Sequence, residues 1–303
     1  MTVAIDVKHL VKRYGDFTAV EDISFSVEEG EIYGILGPNG SGKTTTVESL
    51  QGLRSIEGGS VSVLGFDPAT EPHEIRLRIG SQLQESALPD RVKVWEALDL
   101  FGAISDQGPS WGELLADWGL TEKRDVRFGS LSGGEQQRLF VALSLVNDPR
   151  LVFLDEMTTG LDPSSRRVAW DLIRRIRERG TTVVLVTHFM DEAETLCDRL
   201  MVINHGLVVA GGTPSDLIDR FGGGARVRFT LDGQDAGWLS SVPHVTDWQH
   251  ERNRYEVRGE GPVLTYLAAA LLDHGLAPFD LRQERATLED VFLTLTSGKE
   301  AES

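Results

Sequence analysis

Apolar and polar residues follow two different patterns along this chain. Runs that are apolar at every position, such as residues 151–154 and 183–186, are typical of strands buried on both faces by helices. Residues 164–179, after the first run, instead have helical spacing. Such alternation predicts an α/β fold with a parallel central sheet. Residues 3–27 alternate apolar and polar positions, which predicts an antiparallel sheet covered on one side.

The middle of the chain has a different character. Between about residues 85 and 146 strand signals vanish and apolar residues recur at helical spacing, which predicts a helical subdomain. Further on, the glycines of residues 222–224 read as a linker. We therefore predict a first domain over 1–220 and a C-terminal accessory domain over 221–303.

The elements predicted for the accessory domain follow the order β-α-β-β-α-β. This is the order of a small α+β domain of the ferredoxin-like type. A final helix is expected to begin at Thr287, whose hydroxyl and the carboxylate of Asp290 suit a capping box. The four strands are predicted near residues 226–231, 245–248, 255–258 and 278–282.

Composition and charge narrow the class of protein. The single cysteine, Cys197, cannot form an internal disulfide, which favours a reducing compartment. Lys and Arg total 30 against 47 Asp and Glu, a net charge of −17, so we expect no nucleic-acid partner. The N-terminus lacks the apolar core of a signal peptide, and the charge-free runs are shorter than the roughly 18 apolar residues that span a bilayer. Any membrane-spanning part is therefore expected in another chain.

Residues 37–44 read Gly-Pro-Asn-Gly-Ser-Gly-Lys-Thr and match the G-x-x-x-x-G-K-[ST] phosphate-binding loop. In such a loop backbone N–H groups surround the phosphates, Lys43 reaches the β- and γ-phosphates, and Thr44 offers a hydroxyl to Mg²⁺. The loop alone leaves GTPases, kinases, helicases and transport ATPases open. The predicted nucleotide-binding residues here are Gly37, Pro38, Asn39, Gly40, Ser41, Gly42, Lys43, Thr44 and Thr45.

Residues 131–138 read Leu-Ser-Gly-Gly-Glu-Gln-Gln-Arg. A serine and two glycines at a helix start present a hydroxyl and exposed N–H groups, which suit a phosphate. With the phosphate loop, this segment resembles the signature of the ABC ATPases. The resemblance implies an ABC-type P-loop ATPase domain, with a mixed sheet core and a helical subdomain, that pairs with a second cassette, most simply as a homodimer. It also implies that the ATP on one cassette is covered by the partner's signature residues, here Ser132, Gly133, Gly134 and Glu135.

The same resemblance implies roles for residues at strand ends. Glu156 would orient or deprotonate the attacking water, and His188 would bridge Glu156 and the γ-phosphate. Mg²⁺ would be held by Thr44, Gln84 and Asp155. ATP and Mg²⁺ are therefore the expected ligands.

Other family positions are also present. Tyr14 matches the aromatic residue that stacks on adenine, and Asp162 matches the D-loop residue that contacts the opposite cassette. Gln82, two residues earlier, is an alternative to Gln84 as the glutamine that contacts Mg²⁺. Two departures are Met157, where the family usually has proline, and glutamate in place of the commoner glutamine at position 135. Neither departure removes a phosphate, metal or water ligand.

Residues 186–194 and 287–293 resemble the daunorubicin-resistance-like branch of ABC exporters, the ABC-2 type. This implies a subunit that binds and hydrolyses ATP to power export of a drug-like or lipid-like small molecule by a separate multi-span membrane permease. The subunit would lie at the cytoplasmic face of the cell membrane. A non-transport ABC ATPase that serves a soluble assembly, such as an iron–sulfur scaffold, is the alternative.

Overall fold

The computed structural model describes residues 2–82, 87–103, 108–231 and 236–297. The chain divides into two compact units, residues 1–213 and 214–303. The sequence places the division at residue 220, whereas the structure assigns the helix Pro214–Phe221 to the second unit.

In the part that the structure describes, the strands of the first unit form two sheets. In chain order these strands are β1 (Val3–Tyr14), β2 (Phe17–Glu28), β3 (Ile32–Leu36), β4 (Gly58–Val63), β5 (Ile79–Gln82), β6 (Leu151–Asp155), β7 (Thr182–Thr187), β8 (Arg199–Asn204) and β9 (Leu207–Gly212). Strands β2, β1 and β4 form an antiparallel sheet in that order. The predicted antiparallel pairing of the N-terminal segment is thus confirmed.

The larger sheet has the order β5-β6-β7-β3-β8-β9. All of its pairs are parallel except the edge pair β8–β9, so the predicted parallel central sheet is confirmed. Every residue of β6 and β7 is buried, as their uninterrupted apolar runs require. Side chains from both sheets share one core, for example Ile5 with Phe153 and Val184.

Among its described residues, the first unit also has seven α-helices. They are α1 (Lys43–Leu50), α2 (Pro72–Arg76), α3 (Val94–Gly102), α4 (Trp111–Asp117), α5 (Gly133–Leu143), α6 (Pro163–Glu178) and α7 (Met190–Leu196). The described residues of the stretch predicted as a helical subdomain form α3 to α5 and the 3-10 helices Thr121–Lys123 and Phe128–Ser130. Its core includes the buried side chains of Leu98, Leu114 and Trp118.

Within its described residues, the second unit has an antiparallel sheet whose four strands lie side by side in the order Val245–Glu251, Arg254–Gly259, Ala225–Thr230 and Arg282–Glu284. The predicted first helix is a 3-10 helix, Gly237–Ser241. The ferredoxin-like assignment stays a prediction. The elements are α8 (Pro214–Phe221), β10 (Ala225–Thr230), β11 (Val245–Glu251), β12 (Arg254–Gly259), α9 (Val263–Asp273), β13 (Arg282–Glu284) and α10 (Leu288–Ser297).

Two details of this unit bear on the predictions. The last strand lies at Arg282–Glu284, so the predicted strand at 278–282 is wrong. The predicted cap of α10 is confirmed, since the backbone N–H of Thr287 donates to Asp290 Oδ2 at 2.9 Å. In the described part of the chain no helix is both long and apolar enough to cross a membrane.

Candidate functional site

The phosphate-binding loop, residues 37–42, joins the end of β3 to the start of α1 at Lys43. Gly42, the last residue before the helix, has a φ of 107°. A Cβ at this position would lie 2.5 Å from the carbonyl oxygen of Ala19. Both backbone conformation and space therefore require glycine here. The loop ends where the first N–H groups of α1 lack helical partners, which is a favourable place for an anion.

Lys43 is the cation of this loop. Its Nζ donates to the carbonyl oxygens of Gly37 at 2.9 Å and Pro38 at 3.0 Å, and the residue is buried. Burial lowers the pKa of Lys43, while the charges of Glu156 and Asp155 act in the opposite direction. An ammonium has three donors, so a group held by two carbonyls can also bind a phosphate oxygen.

Two carboxylates lie at the carboxyl end of β6, the edge of a parallel sheet where ligands bind. Asp155 is the last residue of the strand and is buried. Burial, and then the neighbouring charge of Glu156, raises the pKa of Asp155 to about 6. Glu156 has a φ of 48°, and its N–H donates to the carbonyl oxygen of Val186 at 2.9 Å. The residue after Asp155 is thus fixed to the neighbouring strand.

His188 meets Glu156 at this edge. Its Nδ1 lies 3.1 Å from Glu156 Oε1. The contact follows from the topology, because β6 and β7 are neighbours and Asp155 is in register with Val186. The Glu156 side chain is 8% exposed and that of His188 is 37% exposed. A shielded carboxylate beside an accessible imidazole is an arrangement that can orient and deprotonate water.

These groups border a cleft of about 340 Å³, whose walls include Tyr14, Lys43, Thr44, Thr45 and Glu156. The structure thus brings together the predicted aromatic residue, the loop and the predicted catalytic carboxylate. Tyr14 is 41% exposed. A nucleotide can therefore lie with its phosphates on the loop and its base near this ring, since aromatic rings stack readily on bases.

The signature segment forms the N-terminus of α5. The backbone N–H of Ser132 donates to Glu135 Oε2 at 2.9 Å, and Lys123 Nζ lies 3.0 Å from Glu135 Oε1. The hydrogen bond from Ser132 and the ion pair with Lys123 lower the pKa of Glu135 to about 2. Glu135 is therefore ionised at neutral pH, and its carboxylate is held within the chain at the helix N-terminus.

A second cleft, of about 300 Å³, lies between the signature and the start of α6. Its walls include Ser132, Gly133, Gly134 and Asp162. Asp162 caps α6 by accepting from the backbone N–H groups of the serines at 164 and 165 at 2.9 and 3.1 Å. Among the described residues, this cleft and the cleft at Lys43 have no wall residue in common.

The chain is similar to known proteins over nearly its whole length. Residues 20–159 match the ABC transporter family. The chain is 37% identical, over 98% of its own length and 96% of the relative's, to the daunorubicin resistance ATP-binding protein DrrA2 of Streptomyces coeruleorubidus. The chain belongs to the ABC transporter family. It is an ATPase subunit of that family, and the predicted family, the predicted ABC ATPase fold of the first domain and the predicted ATPase activity are confirmed.

Other similar proteins are also ATP-binding subunits or cassettes. This ABC transporter ATPase is 39% identical, over 99% of both chains, to the Nod factor export ATP-binding protein I of Rhizobium sp. (strain N33). A solved dimeric ATP-binding cassette in a post-hydrolysis state, bound to ADP and Pi, has a TM-score of 0.61 and 25% identity. The similarity covers 69% of this chain and 98% of that one. The sequence similarity to the two export and resistance proteins extends over both units of the ABC transporter ATPase.

One predicted metal ligand, Gln84, lies outside the described residues. The alternative, Gln82, is buried, and its amide Nε2 donates to Gln137 Oε1 at 2.8 Å. Gln82 thus connects β5 to the signature helix α5.

The sequence patterns do not predict two residues that contribute to these parts of the ABC transporter ATPase, Phe17 and Lys123. Phe17 lines the Lys43 cleft, is 62% exposed, and pairs with Tyr14 across the β1–β2 hairpin. An apolar residue beside the hairpin turn was the available signal. Lys123 neutralises Glu135 from a separate 3-10 helix, and no local sequence pattern connects the two.

Proposed function

We propose that this ABC transporter ATPase powers export by a separate membrane-spanning protein, with ATP bound on the loop before α1 and hydrolysed at Glu156. The contact of 3.1 Å between His188 Nδ1 and Glu156 Oε1, at the edge that also holds Lys43, carries the proposal. It unites three residues from separate segments in the arrangement that ATP hydrolysis needs: a phosphate ligand, a base and a group beside the base.

The phosphates of ATP bind the loop and the ammonium of Lys43. Mg²⁺ would be held by the hydroxyl of Thr44, the carboxylate of Asp155 and the amide oxygen of Gln84. The groups suit this ion because hard cations prefer oxygen ligands. Asp155 also fits a cation electrostatically, since its raised pKa reflects a carboxylate buried beside a second negative charge. When bound, the ion neutralises charge on the phosphates.

Glu156 orients the attacking water and accepts its proton. Its shielded carboxylate is fixed at the backbone to β7 and at Oε1 to the imidazole of His188. His188 lies beside the γ-phosphate and holds the carboxylate in place. Tyr14 supports the adenine ring. Glu156 and His188 follow neighbouring strands of the parallel sheet, so that sheet sets their spacing, whereas Tyr14 ends a strand of the antiparallel sheet.

A second copy of the chain completes the site. The signature cleft and the Lys43 cleft are separate within one chain, which supports a head-to-tail homodimer in which the partner's Ser132, Gly133 and Gly134 cover the ATP. Glu135 holds the N-terminus of the signature helix. Asp162 lies beside Ser132 in the same cleft and contacts the opposite cassette. A solved relative of the cassette is dimeric.

The cargo is proposed to be a drug-like or lipid-like small molecule, by analogy with relatives named for daunorubicin resistance and Nod factor export. Similarity to both relatives extends through the second unit, which favours export over service to a soluble assembly. The subunit would act at the cytoplasmic face of the membrane through its permease partner. The domain over 221–303 is proposed to be ferredoxin-like. It would stabilise the dimer or regulate its activity.

Affinity purification from detergent-solubilised membranes tests the export proposal. The full chain is expected to recover a multi-span membrane protein, with no nucleic acid. Recovery of soluble scaffold proteins alone would contradict export and favour the alternative. The same preparation without detergent is the control, because a membrane protein should then be absent from the soluble fraction.

Replacing Ser132 with alanine tests the contribution of the signature. Ser132→Ala is expected to lower ATP turnover on the order of 10-fold or more, since removing one donor to developing charge has such effects. Binding of ATP to the monomer should be unchanged, because the signature lies outside the Lys43 cleft. Steady-state phosphate release and equilibrium binding of a fluorescent ATP analogue measure the two quantities.

Ser110→Ala is the matched control. Ser110 caps α4 with Glu113 in the same kind of capping box that Ser132 and Glu135 form at α5. Either substitution removes a helix cap, at a cost of about 0.5–2 kcal/mol in stability. Only Ser132→Ala should reduce turnover. Equal loss of activity in both variants would mean that the signature serine acts through stability rather than through ATP.

A further inference from the structure

His188 carries an exposed imidazole whose position matters for Glu156. The side chain is 37% exposed and follows the last residue of β7. A ring in such a place can occupy several rotamers, and fixing one of them costs conformational entropy. A hydrogen bond to Glu156 fixes one ring atom. A second contact is needed to fix the plane of the ring.

Phe189 supplies that contact. Its ring centroid lies 4.1 Å from that of His188, at an interplanar angle of 38°. The backbone N–H of Phe189 donates to Thr187 Oγ1 at 3.0 Å, and Thr187 is fully buried at the end of β7. Phe189 is thus attached to the end of β7 on one side and contacts the imidazole of His188 on the other.

Helix α6 holds the Phe189 ring in turn. The guanidinium carbon of Arg166 lies 4.1 Å from the centroid of Phe189, a cation–π contact. Arg166 Nη1 also lies 3.5 Å from Asp191 Oδ2, and the Arg166 side chain is 22% exposed. The Arg166 side chain of α6 therefore contacts both the ring of Phe189 and the carboxylate of Asp191.

A second connection fixes the same segment. Trp170 Nε1 on α6 donates to Glu192 Oε1 at 3.0 Å, and Glu192 is fully buried. The start of α7 is therefore tied to α6 at a buried site. Because α7 begins at Met190, Phe189 lies between a fixed strand end and a fixed helix start.

We propose that Phe189, held by Arg166, is a positioning residue that fixes the imidazole of His188 against Glu156. The observations that carry it form one continuous series of contacts: guanidinium, phenyl ring, imidazole, carboxylate. The inference rests on the proposed roles of Glu156 and His188 in hydrolysis. Phe189 itself lines neither the ATP cleft nor the signature cleft, so its effect should appear in turnover and not in ATP binding.

Phe189→Leu and Phe189→Tyr test the proposal in the full chain. Leucine keeps an apolar side chain but has no ring, and we expect kcat to fall roughly 10- to 100-fold, the scale of a small misplacement of a catalytic group. KM for ATP should stay within about twofold, so that kcat and kcat/KM fall together. Tyrosine keeps the ring and should retain activity. Unfolding in urea, followed by circular dichroism, should confirm that both variants fold.

Wild-type kcat in Phe189→Leu, or an equal loss of kcat in both variants, would overturn the inference. A rise in KM for ATP without a fall in kcat would do the same, because it would mean that Phe189 contributes to binding.

A double-mutant cycle separates this inference from the proposed function. In single-turnover measurements, Phe189→Leu should cause no further loss of rate when His188 is already alanine, since the ring would then have nothing to position. Losses that multiply would show that Phe189 acts independently of His188. If His188→Ala alone hydrolysed ATP at the wild-type rate, the proposed role of His188 would fail. Full loss in His188→Ala with none in Phe189→Leu would reject only the positioning role.

Discussion

Glu156→Gln is expected to slow ATP hydrolysis severely while ATP binding persists. Glutamine keeps the shape of the side chain and can still contact His188, but its amide does not accept a proton from water. General-base catalysis contributes typically ~10²–10⁴ in rate, so turnover should fall by that factor. The Lys43 ammonium and the loop are unchanged, so affinity for ATP should be close to that of the wild type.

The expected result has a second part, which follows from the proposed homodimer. If hydrolysis reopens the dimer, Glu156→Gln should accumulate as a closed dimer in ATP and remain monomeric without nucleotide. Size-exclusion chromatography with light scattering measures this, and phosphate release measures turnover. Glu178→Gln, which removes an exposed carboxylate at the end of α6, is the control and should behave as the wild type. Hydrolysis at the wild-type rate in Glu156→Gln would show that another group is the base.

The arrangement of the candidate site could be predicted in large part because its segments are local in the sequence. A phosphate loop needs its glycines and its lysine in one short segment, and the residues after buried strands meet at one sheet edge. The contact between Glu156 and His188 follows from this rule once β6 and β7 are neighbours. Lys123 and Arg166 were not found, because their partners lie in other elements and an isolated Lys or Arg carries no local signal.

The second unit was harder to predict for a physical reason. The sequence predicts a strand over residues 278–282, yet Asp280 accepts hydrogen bonds from the backbone N–H of Thr230 at 2.9 Å and from its hydroxyl at 2.6 Å. A side chain that bonds a neighbouring backbone takes the place of a strand ladder. The strand therefore begins only at Arg282, and apolar alternation alone does not reveal this.

Lys43→Ala is expected to weaken ATP binding by roughly 10- to 100-fold, the equivalent of about 1.5–3 kcal/mol for hydrogen bonds to a charged group. The substitution removes a phosphate ligand and also leaves Asp155 and Glu156 without the cation that faces them, so a polyanion is repelled more strongly. Equilibrium titration with a fluorescent ATP analogue measures the loss, and turnover should fall with it at low ATP. Lys8→Ala is the control, because Lys8 is an exposed partner of Asp6 in the same unit. Affinity within about twofold of the wild type in Lys43→Ala would place the phosphates elsewhere than on this loop.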